Sequence, residues 1–203
     1  MIGSGERAYA FAKACGVIGK SFVGKGISRL GSITRLTDLD RLVFPQKTRD
    51  LPERELLVDL ERRVTGRVVK QITTLVGSFS NPPELLLRLV RAYEYGDIKS
   101  VLSAITGEGT KKPEFIDLGD FGTVNFTAFP DLAAMVKDTE FAFLLAEDIH
   151  TDKDGILVQT RLDRNYYTLL WNSLFSLPRK DRAAIEKILA EEISLRNASW
   201  ALR

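Results

Sequence analysis

The sequence predicts an all-α protein built from medium-length amphipathic helices. Three observations lead there. Apolar residues recur at steps of three and four over long stretches. Helix-start chemistry recurs around Pro52, around Asn81 with Pro82 and Glu84, and at Pro178. The buried strands that an α/β sheet would need are missing, and residues 123–128 are the one stretch that reads as a strand.

Between residues 53 and 76 the apolar set Leu56, Leu57, Leu60, Val64, Val68, Ile72, Leu75 and Val76 marks one stripe of a helix entered at Pro52 and left at Gly77. Next, Asn81 as cap, Pro82 at the first helical position and Glu84 three residues after the cap predict a helix start. From Leu85 to Tyr93 that helix is apolar around much of its circumference, which predicts packing on several neighbours. Gly96 predicts a break there, with Asp97 capping a short helix through Ile98, Val101 and Leu102. In the second half, residues 131–137, 139–149 and 163–175 read as helices. Pro178 opens another, through Ile185, Ile188, Leu189 and Ile193, with Ser194 as a possible restart before Trp200. The polar, Gly- and Pro-punctuated stretch 107–113 is the predicted boundary, dividing the chain into 1–108 and 109–203.

Composition narrows the function classes. The 203 residues are 44% hydrophobic and 28% charged, with mean hydropathy −0.06, as in a soluble globular protein. Twenty-nine Lys and Arg against 27 Asp and Glu give a net charge of +2, too small for a dedicated nucleic-acid binder. The single Cys15 excludes an internal disulfide and fits a reducing compartment. The single His150 excludes two-histidine metal sites. No apolar run approaches the ~20 residues of a membrane span. Glu6, Arg7 and Lys13 in the Ala-rich opening stretch predict that no secretory leader is present.

Several motifs invite chemistry and fall short. Ala14 through Gly19, Lys20 and Ser21 miss the phosphate-binding loop pattern by one glycine, and the preceding 8–14 segment is helix-prone rather than a strand. Gly3, Gly5 and Ala8 match a dinucleotide fingerprint without its strand. His150, Asp152, Asp154 and Gly155 resemble a calcium loop, but His150 and Arg161 occupy ligand positions one and twelve. Cys15 with His150 could form a nucleophile and base, although Cys15 among Ala and Val reads as a small buried hydrophobe. Trp171, Trp200, Tyr166 and Tyr167 read as core at helical spacing. Glu191 and Glu192 are adjacent on a helix and point apart. No catalytic set assembles, and no cofactor or metal site is predicted.

Two segments carry a resemblance. Leu85, Leu86 and Leu87 lead into Tyr93, Tyr95, Asp97, Ile98 and Lys99. Leu162, Asp163, Tyr166 and Tyr167 are followed by Glu192, Ile193, Asn197, Trp200 and Arg203. Both resemble signature blocks of the C (or d) subunit of V/A-type rotary ATPases, and Tyr9 to Ala14 with Leu36 to Leu39 is similar to the opening of such subunits. Ser194 departs from the family's acidic residue, and Gly96-Asp97 from its His-Asn, which suggests a divergent bacterial member. The resemblance implies a funnel-shaped helical fold of three pseudo-repeats, of which this chain carries two. It also implies a non-catalytic socket between the central stalk and the membrane proteolipid ring, passing torque during H⁺ or Na⁺ transport. Such a subunit is cytoplasmic and meets the membrane only through its complex. Asp97 to Leu102 and Asn197 to Leu202 echo one another at a fixed offset, which supports a repeat. A missing third repeat would leave exposed apolar residues near the C-terminal helix, able to drive self-association. The alternatives are an unrelated soluble helical adaptor and a small phosphate-loop enzyme using Lys20 and Ser21.

Overall fold

The computed structural model describes residues 3–107, 112–146 and 156–202. Among them the regular structure is entirely helical: α1 (Ser4–Gly19), α2 (Leu36–Val43), α3 (Glu53–Val76), α4 (Glu84–Thr106), α5 (Leu132–Val136), α6 (Ile156–Ser173) and α7 (Arg179–Ala201), joined by short 3₁₀ turns. The chain divides into two compact units, Met1–Asn81 and Pro82–Arg203.

In the first unit, α1 presents Glu6, Ala10, Lys13, Ala14 and Val17 inward, spaced i, i+4, i+7, i+8 and i+11. Only Ala10 of these is fully buried. Small inward residues let α1 lie close to α3, and Lys13 Nζ donates to the Thr74 carbonyl at 3.3 Å. Glu6 Oε1 accepts from the Ser80 amide and hydroxyl at 2.9 and 2.6 Å. Those bonds, the hydroxyl's first, hold the Glu6 carboxyl below its usual pKa.

The link between α2 and α3 is ionic. Asp40, 1% exposed, pairs with Arg63 and accepts the Arg49 amide at 2.9 Å. Arg63 Nε also meets Asp59 Oδ2 at 2.6 Å, its Nη1 donates to the Lys47 carbonyl at 3.1 Å, and its guanidinium lies 4.4 Å from the centre of the Phe44 ring. One arginine thus links the 44–52 loop to both helices. On α3, Leu56, Leu60, Val69 and Val76 are buried, while Leu57, Val64 and Val68 form a second apolar face open to solvent. Part of the predicted stripe is therefore uncovered.

In the second unit, α4 lies along α6. Their core gathers Tyr95, Ile98, Val101 and Leu102 of α4, Met135 and Val136 of α5, Phe141 and Leu144, and Val158 and Leu162 of α6. A smaller cluster joins Leu85, Leu170, Leu174 and Leu189. Asp131 caps α5, its Oδ1 accepting the Ala134 amide at 3.0 Å. On α7 only Leu189 is fully buried; Ile188, Leu195 and Leu202, seven residues apart, share an exposed face. This is the apolar surface expected near the C-terminal helix.

Four expectations change. Helix α4 starts at Glu84 with Pro83 as its N-cap, not Asn81, because the second proline of the pair occupies the last non-helical position. It then runs unbroken through Gly96, so Asp97 is no cap, and Asn197 likewise lies inside continuous α7. Residues 123–128 form no strand: the amides of Thr123 and Val124 go to the Glu94 carboxylate, and a 3₁₀ turn spans Phe126–Ala128. Cys15 is exposed, because it is rotated about 100° from the inward-facing Ala14.

Candidate functional site

The residues singled out from the sequence converge on the seam between α4, α6 and α7. Tyr95 and Lys99 sit one turn apart on α4. The Tyr95 hydroxyl donates to Asn165 Oδ1 at 2.5 Å, and Lys99 Nζ pairs with Asp163 Oδ1 at 2.5 Å. The Tyr95 ring meets Phe141 at 4.6 Å and Tyr166 at 5.1 Å, and Tyr166 meets Tyr167 at 5.0 Å, edge to face in both tyrosine pairs. Tyr167 carries the chain on to α7: its hydroxyl donates to Glu192 Oε1 at 3.0 Å and accepts from Arg196 Nε at 3.3 Å. Six predicted residues, Tyr95, Lys99, Asp163, Tyr166, Tyr167 and Glu192, thus form one aromatic and polar line across three helices.

Burial sets the electrostatics of this line. It pushes Tyr95 and Tyr166 well above the ordinary tyrosine range, with the Glu140 carboxylate adding to the effect on Tyr95 and Tyr167 to that on Tyr166. Both hydroxyls therefore stay protonated, and that of Tyr95 is a fixed donor to Asn165. Burial also raises Tyr93, which is half-buried on α4.

Asp97 works on another side of α4. Its Oδ2 accepts the Ile116 amide at 2.8 Å. Burial raises its pKa from 3.8 to about 6; the Ile116 bond opposes this, and the neighbouring Glu94 charge adds to it. Glu94, 1% exposed, is the more connected of the two: it takes the Thr123 and Val124 amides and the Thr123 hydroxyl at 2.5–2.9 Å. Together these carboxylates fold the 112–128 segment onto α4. Sequence reasoning passed over Glu94, as it did Asn165 and the Arg88–Glu140 ion pair that ties α4 to the segment before the Ala142–Ala146 turn. The available signal for Glu94 was a charged residue between two tyrosines on an apolar helix, which has to find a partner if it is buried.

A groove of about 520 Å³ runs between α6 and α7, with Asp163, Tyr167, Trp171, Arg196, Asn197 and Trp200 on its walls. Trp171 and Trp200 are half-buried there, and Trp171 also packs against the Leu85, Leu170, Leu174 and Leu189 cluster. Asn197 lies in this groove, apart from the tyrosine line. Arg203, His150, Asp152, Asp154 and Gly155 lie outside the described residues.

The arrangement positions helices. Hydrogen bonds and ring contacts fix the spacing and rotation of α4, α6 and α7. Among the described residues no three His, Cys, Asp or Glu side chains stand together as a metal site, and no helix is long and apolar enough to cross a membrane. The loop-like motif at 14–21 is helical through Gly19, and the Lys20 and Ser21 amides donate to the Val17 and Ile18 carbonyls. Those amides form no phosphate cradle.

Comparison with known proteins places this seam. An uncharacterized protein of Treponema pallidum (strain Nichols) is 25% identical over 195 residues, covering 96% of this chain and 57% of that protein. The chain thus spans little more than half the length of that relative. No solved structure gives a significant match. A family model for the ATP synthase (C/AC39) subunit matches residues 48–203, taking in α3, all of the second unit and both signature blocks, while the stretch from Tyr9 to Leu39 precedes the match. The chain belongs to the ATP synthase (C/AC39) subunit family.

Proposed function

We propose that this chain serves as the coupling subunit of a V/A-type rotary ATPase. In that role it is a non-catalytic helical socket that receives the central stalk, rests on the proteolipid ring, and transmits torque during H⁺ or Na⁺ movement. The observation that carries the reading is the family match over 48–203, which contains the whole tyrosine and ion-pair line. A torque element has to resist shear between its helices. Close-packed interiors transmit strain, and a line of directional bonds across α4, α6 and α7 resists sliding where apolar contact alone would not.

In this reading the pseudo-repeats are 1–108 and 109–203, and they need not share a boundary with the compact units. Helix α4 ends the first repeat and packs on α6 of the second. The partners are the stalk subunits and the ring, and the chain is cytoplasmic, held at the membrane by its complex.

Affinity purification of the tagged full chain from mildly solubilised native membranes tests the proposal. Stalk and proteolipid subunits are expected in the eluate, identified by mass spectrometry. Their absence, with the tagged chain folded and abundant, would rule the coupling role out.

A further inference from the structure

Residues 3–47 precede the family match, and the tyrosine and ion-pair line uses none of them. Their charge is lopsided. Between Glu6 and Asp38 stand Arg7, Lys13, Lys20, Lys25, Arg29 and Arg35, with no Asp or Glu. Those six exceed the net +2 of the whole chain, so the rest of the protein is net acidic. Within the first unit this segment borders a cavity of about 440 Å³, in the ~300–1,000 Å³ range of small-ligand sites.

The cavity has two kinds of wall. Lys20, Arg29 and Arg67 supply its cations, and no acidic residue lines it. Val17, Phe22, Leu42, Val43, Val64 and Val68 supply its apolar surface. Lys20 alone would be explained by the C-terminal dipole of α1, which it caps. Arg29 comes from the Gly24–Arg29 turn and Arg67 from α3, so three separate elements bring cations to one space. Arg67 is already held, its Nη1 donating to the Val43 carbonyl at 3.0 Å. Lys20 and Arg29 form no ion pair with a described residue. Around them Ile18, Val23 and Ile27 are exposed.

We infer that this cavity binds an anionic phospholipid at a membrane surface, the three cations on its phosphate and the valine-rich wall on the start of an acyl chain. An apolar cavity with a cationic rim matches a ligand that is anionic at one end and greasy at the other. The exposed Ile18, Val23 and Ile27 suit the headgroup boundary, where apolar side chains enter and basic ones stay at the phosphates. The contact is direct, in addition to any made through a complex, and does not depend on the rotary-ATPase reading.

Flotation of the full chain with phosphatidylcholine vesicles, with or without about 20% phosphatidylglycerol, is the test. The chain is expected to float with the anionic vesicles only, and less as salt rises. The pair Lys20→Gln with Arg29→Gln should weaken binding about thirtyfold, since each basic group near such a surface contributes about fivefold. The pair Arg54→Gln with Lys70→Gln, equal in charge but off the cavity, should change it by no more than about threefold. Far-UV circular dichroism confirms that both pairs fold. Equal losses in the two pairs would reduce the effect to diffuse charge and overturn the site. Failure to float with anionic vesicles overturns the proposal, whether the same cavity then takes soluble glycerol phosphate or polyglutamate in titration.

Discussion

The two compact units hold themselves together by different means. The second buries ten apolar residues in one cluster and four in another, and its polar line runs along the edge of that core. In the first, Tyr9, Phe11, Ile18, Val23, Ile27 and Val58 remain exposed, and Arg63 of α3 ties α2 down through Asp40 while Asp59 of α3 braces the arginine. A buried large apolar side chain contributes about 1.5–3 kcal/mol, and a typical hydrogen bond only about 1 kcal/mol net. The second unit therefore draws most of its stability from packing, and its buried carboxylates decide which loop conformation is allowed. The first unit buries fewer large apolar side chains among its described residues, Leu56, Leu60, Val69 and Val76, and adds the Asp40–Arg63 pair between α2 and α3. Both units leave apolar residues open for contact, Ile18, Val23 and Ile27 in the first and Ile188 and Leu195 in the second, but the second has the larger packed core beneath them.

The largest expected effect falls on Glu94. Glu94→Ala leaves the Thr123 and Val124 amides without their acceptor at a part-buried site over the buried Glu94 position. Two orphaned amides at about 1–3 kcal/mol each, with a small cavity, predict a loss of about 3–5 kcal/mol. Glu94→Gln keeps an acceptor oxygen and should lose roughly half as much. The midpoint of urea unfolding, followed by tryptophan fluorescence, measures both, because Trp171 and Trp200 both lie in the second unit. A Glu94→Ala midpoint equal to wild type would show that the carboxylate does not fix the 112–128 segment.

Asp40 gives the matching test in the first unit, at about 2–3 kcal/mol. Asp40→Ala strips Arg63 of one carboxylate but leaves it Asp59 at 2.6 Å, so the loss is smaller than for a fully orphaned charge. Far-UV circular dichroism reads helices of both units, while fluorescence reads the second alone. The substitution should therefore lower the dichroism-detected transition and leave the fluorescence transition in place. If both probes shifted together, the two units would unfold as one and the contrast between them would fail.

What the sequence made legible follows the range of the forces involved. Helix α3 could be placed over its observed span, because proline and glycine punctuate its ends locally. The entry of α4 was missed by two residues because either proline of 82–83 can close the non-helical stretch. Gly96 suggested a break, yet nothing lies within 4 Å of where its Cβ would be, and the buried Tyr95 and Ile98 beside it carry the helix through. The alternation of Val124, Phe126 and Ala128 imitates a strand because alternate side chains face the core, while the backbone bonds that would define a strand go to Glu94, about thirty residues earlier. Tyr95, Lys99, Asp163 and Tyr167 were selected by resemblance. Their joining into one line depends on α4 packing against α6, which no local pattern encodes. Cys15 was misplaced because α1 buries a narrow stripe of small residues, and one step around the helix leads from half-buried Ala14 to solvent.

The smallest expected effect concerns Asp97 and sharpens the contrast from inside the second unit. Glu94 is anchored by three donors; Asp97, 6% exposed, accepts one amide and sits beside that same Glu94. Its folded-state pKa of about 6 stands above its ordinary 3.8, so the native protein holds this proton more tightly than the unfolded chain does. The resulting stabilisation is complete below about pH 3.8 and is lost as pH rises through about 6. The other carboxylates act in the opposite direction in acid, so the contribution has to be read as a difference between proteins. Asp97→Asn removes the charge and keeps an oxygen for the Ile116 amide. It should stabilise the protein by about 2 kcal/mol at pH 8 and change it little near pH 4. Urea midpoints for the two proteins across pH 4–8 give the difference curve, which should rise between about pH 4 and 6 and then level off. A flat curve would mean that Asp97 ionises as freely as an exposed aspartate, and that Glu94 alone carries the buried-carboxylate character of this unit.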